Sequence, residues 1–211
     1  MSQKLELEIP VEVENLKLPN PSLLSLYKLN EHRIIYIDYE INDGLLEVQK
    51  EILLYNLIDD DMNIPKETRR PIKLMLNTPG GQLLETFSFI DIIKISETPV
   101  WTYNCGAAYS AGIVILTSGH KRFTFKNAKA MFHQLSVSEL NGTASEVEEA
   151  QKRIAEYNES MFNTVYENTS ITSKVHKKKI KEDWYFNAEE QVKYGIVDEI
   201  VTSMSQIIQK Q

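Results

Sequence analysis

WTYNCGAAYSAGIVILTSGHKRFTFKNAKAMFH, residues 101–133, is the stretch on which the fold turns. It predicts a strand at Val100 to Tyr103, a tight turn at Asn104-Cys105-Gly106, and a helix opening within Ala107-Ala108-Tyr109-Ser110-Ala111-Gly112. A second strand is expected at Arg122 to Phe125, and a third, Lys129-Ala130-Met131-Phe132, delivers His133. A serine that opens a helix after a strand sits where the positive end of the helix dipole favours an anion and where unpaired N–H groups can donate. Small neighbours admit a substrate backbone. Ser110 is therefore the candidate nucleophile and His133 the candidate base, and peptide-bond hydrolysis is the expected reaction.

Upstream, Ile72-Lys73-Leu74-Met75-Leu76 reads as a strand. Asn77-Thr78-Pro79-Gly80-Gly81 follows at once, then a helix from near Leu83 with Leu84, Phe87, Ile90, Ile93 and Ile95 on its buried side. Two glycines at a strand-to-helix turn allow positive φ and present free N–H groups. The motif is either a plain turn or an anion cradle. A phosphate-binding loop would continue into Lys-Ser/Thr, which is absent here, so a developing oxyanion is the better guest. Earlier still, Arg33-Ile34-Ile35-Tyr36-Ile37 predicts a buried strand. Asn42-Asp43-Gly44 caps a helix whose apolar side is Leu45, Leu46, Val48, Ile52, Leu53 and Leu57. Asp59-Asp60-Asp61 suggests a metal site at first sight, but three contiguous acids with no nearby His or Cys read as a solvated loop. It opens a polar connector that runs to Arg70. Repeated strand–helix units give an α/β chain with a largely parallel sheet, and sites in such sheets gather at the carboxyl ends of the strands. Gly80-Gly81 and Ser110 both fall at such ends.

The flanks are less informative. Leu5, Leu7 and Ile9 alternate with polar residues as in an exposed strand or arm, and Pro19-Asn20-Pro21-Ser22 leads into a short helix, Leu23 to Leu29. After His133, Leu135-Ser136-Val137 allows a small strand, and Thr143 caps a long helix through Tyr166. Its apolar stripe is Val147, Ala150, Ile154, Tyr157, Met161 and Val165, and a helix of that length in a small domain projects or meets a partner. Val175 to Lys181 reads as a solvated basic face. Asp183, the strand Trp184-Tyr185-Phe186, a helix from Asn187 to Tyr194 stopped by Gly195, a last strand Ile196 to Val201 and a frayed tail from Gln206 complete the chain. The expected divisions are an arm over 1–28, a peptidase domain over 29–203 and a tail over 204–211.

Composition sets the bounds. The 211 residues, 42% hydrophobic and 25% charged, suit one globular α/β domain. A net charge of -7 argues against nucleic acid as the main partner. A lone cysteine excludes an internal disulfide and fits a reducing, cytoplasmic setting. No apolar run approaches the roughly 20 residues that cross a bilayer, and the start lacks a signal-peptide core.

Five segments in this order carry a resemblance: Asn77 to Gly81, Gly106 to Gly112, Lys121-Arg122-Phe123, Met131-Phe132-His133-Gln134, and Ala188 to Asp198. Together they resemble the proteolytic subunits of the Clp protease family, over about Leu29 to Val201. The resemblance implies a crotonase-like α/β fold with a projecting handle helix. It also implies a serine endopeptidase that needs no cofactor or metal. Two stacked seven-membered rings would enclose a chamber for unfolded protein, fed by an ATP-driven unfoldase. Matched by position, Ser110 is the nucleophile, His133 the base and Asp183 the orienting acid, while Gly81 and Ala111 supply the oxyanion N–H groups. The chemistry agrees, since a hydroxyl needs an adjacent base and the imidazole needs a carboxylate to fix its tautomer. Asp198 is a competing acid, but it follows Gly195 in a motif of structural character. His32, His120 and His176 lie in less suitable contexts than His133.

The chain also departs from the family pattern. The tyrosines that line the family's unfoldase docking pocket are Lys73 and Met75 here, Leu135 replaces a proline after His133-Gln134, and Lys181-Glu182 reverses the usual acidic-then-basic order. These departures imply a divergent member that works with a different partner. Three other readings stay open: a Ser-Lys peptidase of the signal-peptide-peptidase branch, an α/β-hydrolase esterase, and a catalytically silent ring subunit. The esterase order needs an acid between Ser and His, and no aspartate occurs between Asp91 and Asp183.

Overall fold

The computed structural model describes residues 21–137, 140–179 and 181–208. They fall into two units, one ending at His32 and one starting at Arg33. The first contains helix α1 (Pro21–Glu31), with a Lys28–Glu31 ion pair on its surface. The arm expected around Leu5 to Ile9 lies outside the described residues.

The second unit is built on strands β1 (Ile34–Ile37), β2 (Ile72–Thr78), β3 (Val100–Tyr109), β4 (Lys121–Thr124), β5 (Lys129–Phe132), β6 (Trp184–Phe186) and β7 (Glu199–Ile200). The order is β1-β2-β3-β4-β7, all parallel, with β5 parallel to β3 and β6 antiparallel to β5. Parallel strands need crossover helices that cover both faces, so central strands become continuous apolar runs. β2 obeys this: Ile72, Leu74, Met75 and Leu76 are buried, and so is Lys73. Helices α2 (Leu45–Asp61), α3 (Leu83–Ile95) and α4 (Ala111–Ser118) follow β1, β2 and β3. α4 is buried all round from Ala111 to Thr117, which is why its sequence, AGIVILTS, shows no amphipathic period.

β3 forks. Its first half, Trp101 to Asn104, pairs with β4, and its last residues, Ala107 to Tyr109, pair with β5. Asn104 sits at the fork, fully buried, and its Nδ2 donates to the Lys129 carbonyl and to Gln191 Oε1, both at 3.0 Å. Asn104-Cys105-Gly106 is therefore not the expected turn, and the helix does not open at Ala107. The strand runs through to Tyr109 and α4 begins at Ala111. A bulge absorbs the polar and small residues: Leu76 pairs with Asn104 but Thr78 with Ala108, and Asn77 Oδ1 accepts the Ala107 N–H at 3.1 Å.

The Asp59 to Asp61 segment is also not a solvated loop. It is the last turn of α2, and Asp59 is fully buried. Asp59 Oδ2 accepts from Arg33 Nη1 at 2.7 Å and from the Thr98 hydroxyl at 2.8 Å, and Asp60 pairs with Arg69. The buried faces of the two long helices are rotated from expectation. α2 buries Leu45, Val48 and Ile52 but exposes Leu46, Leu53 and Leu57. α3 buries Leu83, Thr86, Phe89, Ile90 and Ile93 but exposes Leu84 and Ile95.

Helix α5 (Ala144–Asn168) starts with the expected Thr143 cap, a reciprocal box with Glu146. It buries only Met161, Thr164 and Val165, so the first turns project as a long arm. The short helix α6 (Ser173–His176) follows, and His176 is buried rather than solvated. No strand forms at Leu135 to Val137. α7 (Ala188–Lys193) has an Asn187–Glu190 capping box, and the final strand shrinks to β7. The tail from Gln206 is not frayed at its start: the Tyr103 hydroxyl donates to the Gln206 carbonyl at 2.9 Å, and Ile207 is buried.

Candidate active site

β3 and β5 bring Ser110 and His133 together. The β3–β5 register sets Tyr109 beside Met131, and the Ser110 N–H donates to the Met131 carbonyl at 3.0 Å. Ser110 then turns sharply into α4 with φ 54° and ψ -118°, a conformation L-residues rarely adopt. That kink aims its hydroxyl off the strand end, and His133 Nε2 lies 2.8 Å from Ser110 Oγ. When Nε2 accepts the serine proton, the ring carries its own proton on Nδ1. Asp183 faces that atom, with Oδ1 at 3.5 Å from Nδ1. The antiparallel β5–β6 pairing explains the meeting: Phe132 is opposite Trp184, so the next residue back along β6 falls opposite His133. The separation exceeds a normal N–H···O bond, and the Asp183 side chain is 56% exposed.

The double glycine closes in from β2. Gly80 has φ +99° and Gly81 φ +150°. Gly81 bridges to Ile41 in parallel fashion: the Ile41 N–H donates to the Gly80 carbonyl and the Gln82 N–H to the Ile41 carbonyl. That alternation points the Gly81 N–H to the other side. Ala111, the first residue of α4, has no carbonyl one turn earlier to accept its N–H. The two amides expected to face a developing oxyanion are thus left without backbone acceptors. Beside His133, a pocket of about 180 Å³ is lined by His133, Gln134, Leu135, Ser136, Lys181, Glu182 and Asp183. Glu182 is paired with Lys179 at 3.2 Å.

The remaining candidates lie elsewhere. Asp198 is bound to Arg122, accepting its backbone N–H at 2.8 Å and its Nη2 at 2.7 Å, and the same guanidinium donates to the Gly195 carbonyl. His120 Nδ1 accepts the Val100 N–H at 2.9 Å, and burial lowers its pKa. Lys73 and Met75 are buried in β2. Burial, with Arg70 and Arg33 close by, pulls the Lys73 ammonium down to about 8. Sequence reasoning missed how closely Gly80 presses on the serine, and it missed the Asn104–Gln191 clamp behind the fork. Gly80 had a signal in the double-glycine motif. Asn104 and Gln191 had none, because 87 positions separate them.

A parallel α/β sheet with a kinked serine at a strand-to-helix junction, an imidazole on its hydroxyl and a carboxylate facing the imidazole has the layout of a serine hydrolase. Comparison with known proteins narrows this to a family. A family model described as Clp protease matches residues 22–204. The chain is 31% identical to the ATP-dependent Clp protease proteolytic subunit 1 of Bacillus cereus over 195 residues, 92% of this chain and 97% of that protein. It is 29% identical to proteolytic subunit 2 of Corynebacterium efficiens over 178 residues, covering 83% and 85% of the two chains. Against proteolytic subunit 2 of Prochlorococcus marinus it is 27% identical over 181 residues, covering 85% and 87%. The chain belongs to the Clp protease family, and its fold is the α/β fold of that family. Among the described residues no helix is long and apolar enough to cross a membrane.

Proposed function

We propose that Ser110, His133 and Asp183 are the catalytic triad of a serine endopeptidase that cuts unfolded polypeptide inside a ring-shaped chamber. The observation that carries this reading is the 2.8 Å approach of His133 Nε2 to Ser110 Oγ at a kinked strand end. Ser110 attacks the scissile carbonyl while His133 takes its proton. Asp183 holds the imidazole tautomer and offsets the charge it gains. The Gly81 and Ala111 N–H groups receive the oxyanion. His133 then protonates the leaving amine, and water releases the acyl group by the same route.

Assembly follows from surface that one chain leaves uncovered. Leu53, Leu54 and Leu57 on α2, Met62 at its C-cap, and Leu84 and Ile95 on α3 are each about half exposed or more, apolar surface of the kind that supports an interface. The projecting turns of α5 add a stripe of Val147, Ala150, Ile154 and Tyr157. These features support a homo-oligomer of two stacked seven-membered rings built from the peptidase domain over 29–203. The relatives are named ATP-dependent, which supports feeding by an ATP-driven unfoldase in the cytoplasm. Because Lys73 and Met75 stand buried where the family pattern has docking tyrosines, that unfoldase would grip a different surface. The Lys181-Glu182 order would set like charge against like charge across a two-fold contact with an ordinary family ring, which discourages mixed particles.

The test is degradation of a permanently unfolded protein by the purified chain and by Ser110→Ala, with native mass spectrometry of both. Cleavage by the wild type alone, in a large ring assembly that does not exchange with an ordinary member, is expected. A stable monomer at micromolar concentration contradicts the assembly, abundant mixed rings contradict the charge argument, and an intact substrate contradicts the activity.

A further inference from the structure

Two amide side chains tie together the three strands that present Ser110, His133 and Asp183. Asn104 in β3 and Gln191 in α7 are both fully buried. Asn104 Nδ2 donates to the Lys129 carbonyl, at the start of β5, and to Gln191 Oε1, both at 3.0 Å. Gln191 Nε2 donates to the Ala128 carbonyl at 3.2 Å and to the Phe186 carbonyl, at the end of β6, at 3.3 Å. Each amide nitrogen carries two hydrogens, so all four are used. The chain runs from these anchors to the site in a few residues: Ser110 lies six beyond Asn104, His133 four beyond Lys129, and Asp183 three before Phe186. Gln191 is itself held by its helix, whose first turn the Asn187–Glu190 box closes, and its carbonyl accepts the Ile196 N–H at 2.8 Å.

The backbone ladders at this place are short. β3 pairs with β5 at three positions, and β5 with β6 at three. A slip of one residue would turn His133 or Asp183 to the opposite face, and three pairs supply few backbone bonds against it. The clamp sits at the fork, where β3 exchanges β4 for β5. Amides are a costly way to fill that space, because Asn104 Oδ1 has no partner among the described residues and apolar side chains would carry no such cost. What hydrogen bonds add is direction. We infer that Asn104 and Gln191 are positioning residues that hold the three strands in register and so set the geometry of Ser110, His133 and Asp183. The inference rests on the peptidase reading and adds two residues that act on the triad through the backbone. The tie to Phe186 bears most on Asp183, whose 3.5 Å approach to His133 Nδ1 leaves little room for further drift.

Gln191→Met keeps the bulk and removes the three side-chain bonds. Peptide hydrolysis by the intact protein, measured beside a urea unfolding curve, is the test. kcat should fall roughly 10- to 100-fold with KM within about twofold of wild type, because a displacement near 1 Å is felt in the transition state and not in ground-state binding. Asp59→Ala is the control for lost stability. It breaks a buried contact with Arg33 and Thr98, which precede β1 and β3, at the strand ends opposite the triad. It should keep its kcat at a temperature where both variants are folded. Should Gln191→Met not fold, Asn104→Leu gives the same comparison with the shape kept and both donated bonds gone. An unchanged kcat in the folded variant, a rise in KM alone, or an equal loss of kcat in Asp59→Ala overturns the positioning role while leaving the peptidase intact. Failure of wild type to cut any peptide overturns the peptidase reading and the positioning role with it.

Discussion

A Cβ placed on Gly80 would stand 2.7 Å from the Cβ of Ser110, and 2.6 Å from the carbonyl oxygen of Tyr109. The double glycine is thus the wall against which the serine is kinked. The neighbour is backbone and a short side chain, so neither can swing away. Gly80 also holds φ +99°, which a side chain would strain. Gly80→Ala should displace Ser110 and lower kcat on the order of 100-fold, the usual cost of about 1 Å of misplacement. Peptide hydrolysis together with circular dichroism checks this. A folded variant with full kcat would show that the contact does not set the serine.

Asp183 stands 3.5 Å from His133 Nδ1 with a half-exposed side chain, a loose partner for an orienting acid. Asp183→Asn should lower kcat on the order of 10²–10³-fold, toward the mild end for a triad acid, because solvent already shares the carboxylate. His133→Ala should cost more. Equal rates for wild type and Asp183→Asn would remove Asp183 from the mechanism.

Asp59 has no water to return to if Arg33 is lost, and the reverse holds for a guanidinium that is 9% exposed. Breaking such a pair from one side leaves a buried charge alone. Asp59→Ala should cost about 3–5 kcal/mol in urea unfolding, and replacing both residues with apolar ones should cost less. A single variant within about 1 kcal/mol of wild type would show that the ion pair is not desolvated.

His176 is packed between Phe132 and Phe162, with centroids at 4.6 Å from each, and its Nδ1 is 2.6 Å from the Tyr166 hydroxyl. Burial lowers its pKa below the usual 6.5. Its folded pKa is therefore depressed, so the unfolded chain takes up the proton first as pH falls. The stability it contributes is complete above 6.5 and is lost as pH drops below that value toward the folded pKa. His120 acts in the same sense. Tm should fall on acidification through this window, less steeply in His176→Phe than in wild type. Parallel Tm–pH curves for the two proteins would refute the assignment.

How far the sequence carried the fold is clearest in β3. Val100 to Tyr103 reads as a strand from its apolar and aromatic residues, but Asn104-Cys105-Gly106 carries every local mark of a turn. The strand continues because Asn77 accepts the Ala107 N–H, and Lys129 and Gln191 accept from Asn104 Nδ2, partners that no local window contains. Asp59 misled for the same reason, since its arginine lies 26 residues away. On α2 and α3, both sides are apolar, so periodicity alone could not choose which side meets the sheet. The serine and histidine were legible because a strand end, a helix start and small residues are local features. Asp183 was legible only through its family position, because the β5–β6 pairing that brings it to His133 spans about fifty residues of intervening chain.

The central claim is that Ser110 is an activated nucleophile. A fluorophosphonate reagent tests it directly, with intact mass as the readout. Wild type should gain a single adduct that maps to Ser110, Ser110→Ala should gain none, and His133→Ala should lose most of the labelling because its base is gone. Equal labelling of wild type and His133→Ala, or an adduct on another residue, would contradict the account.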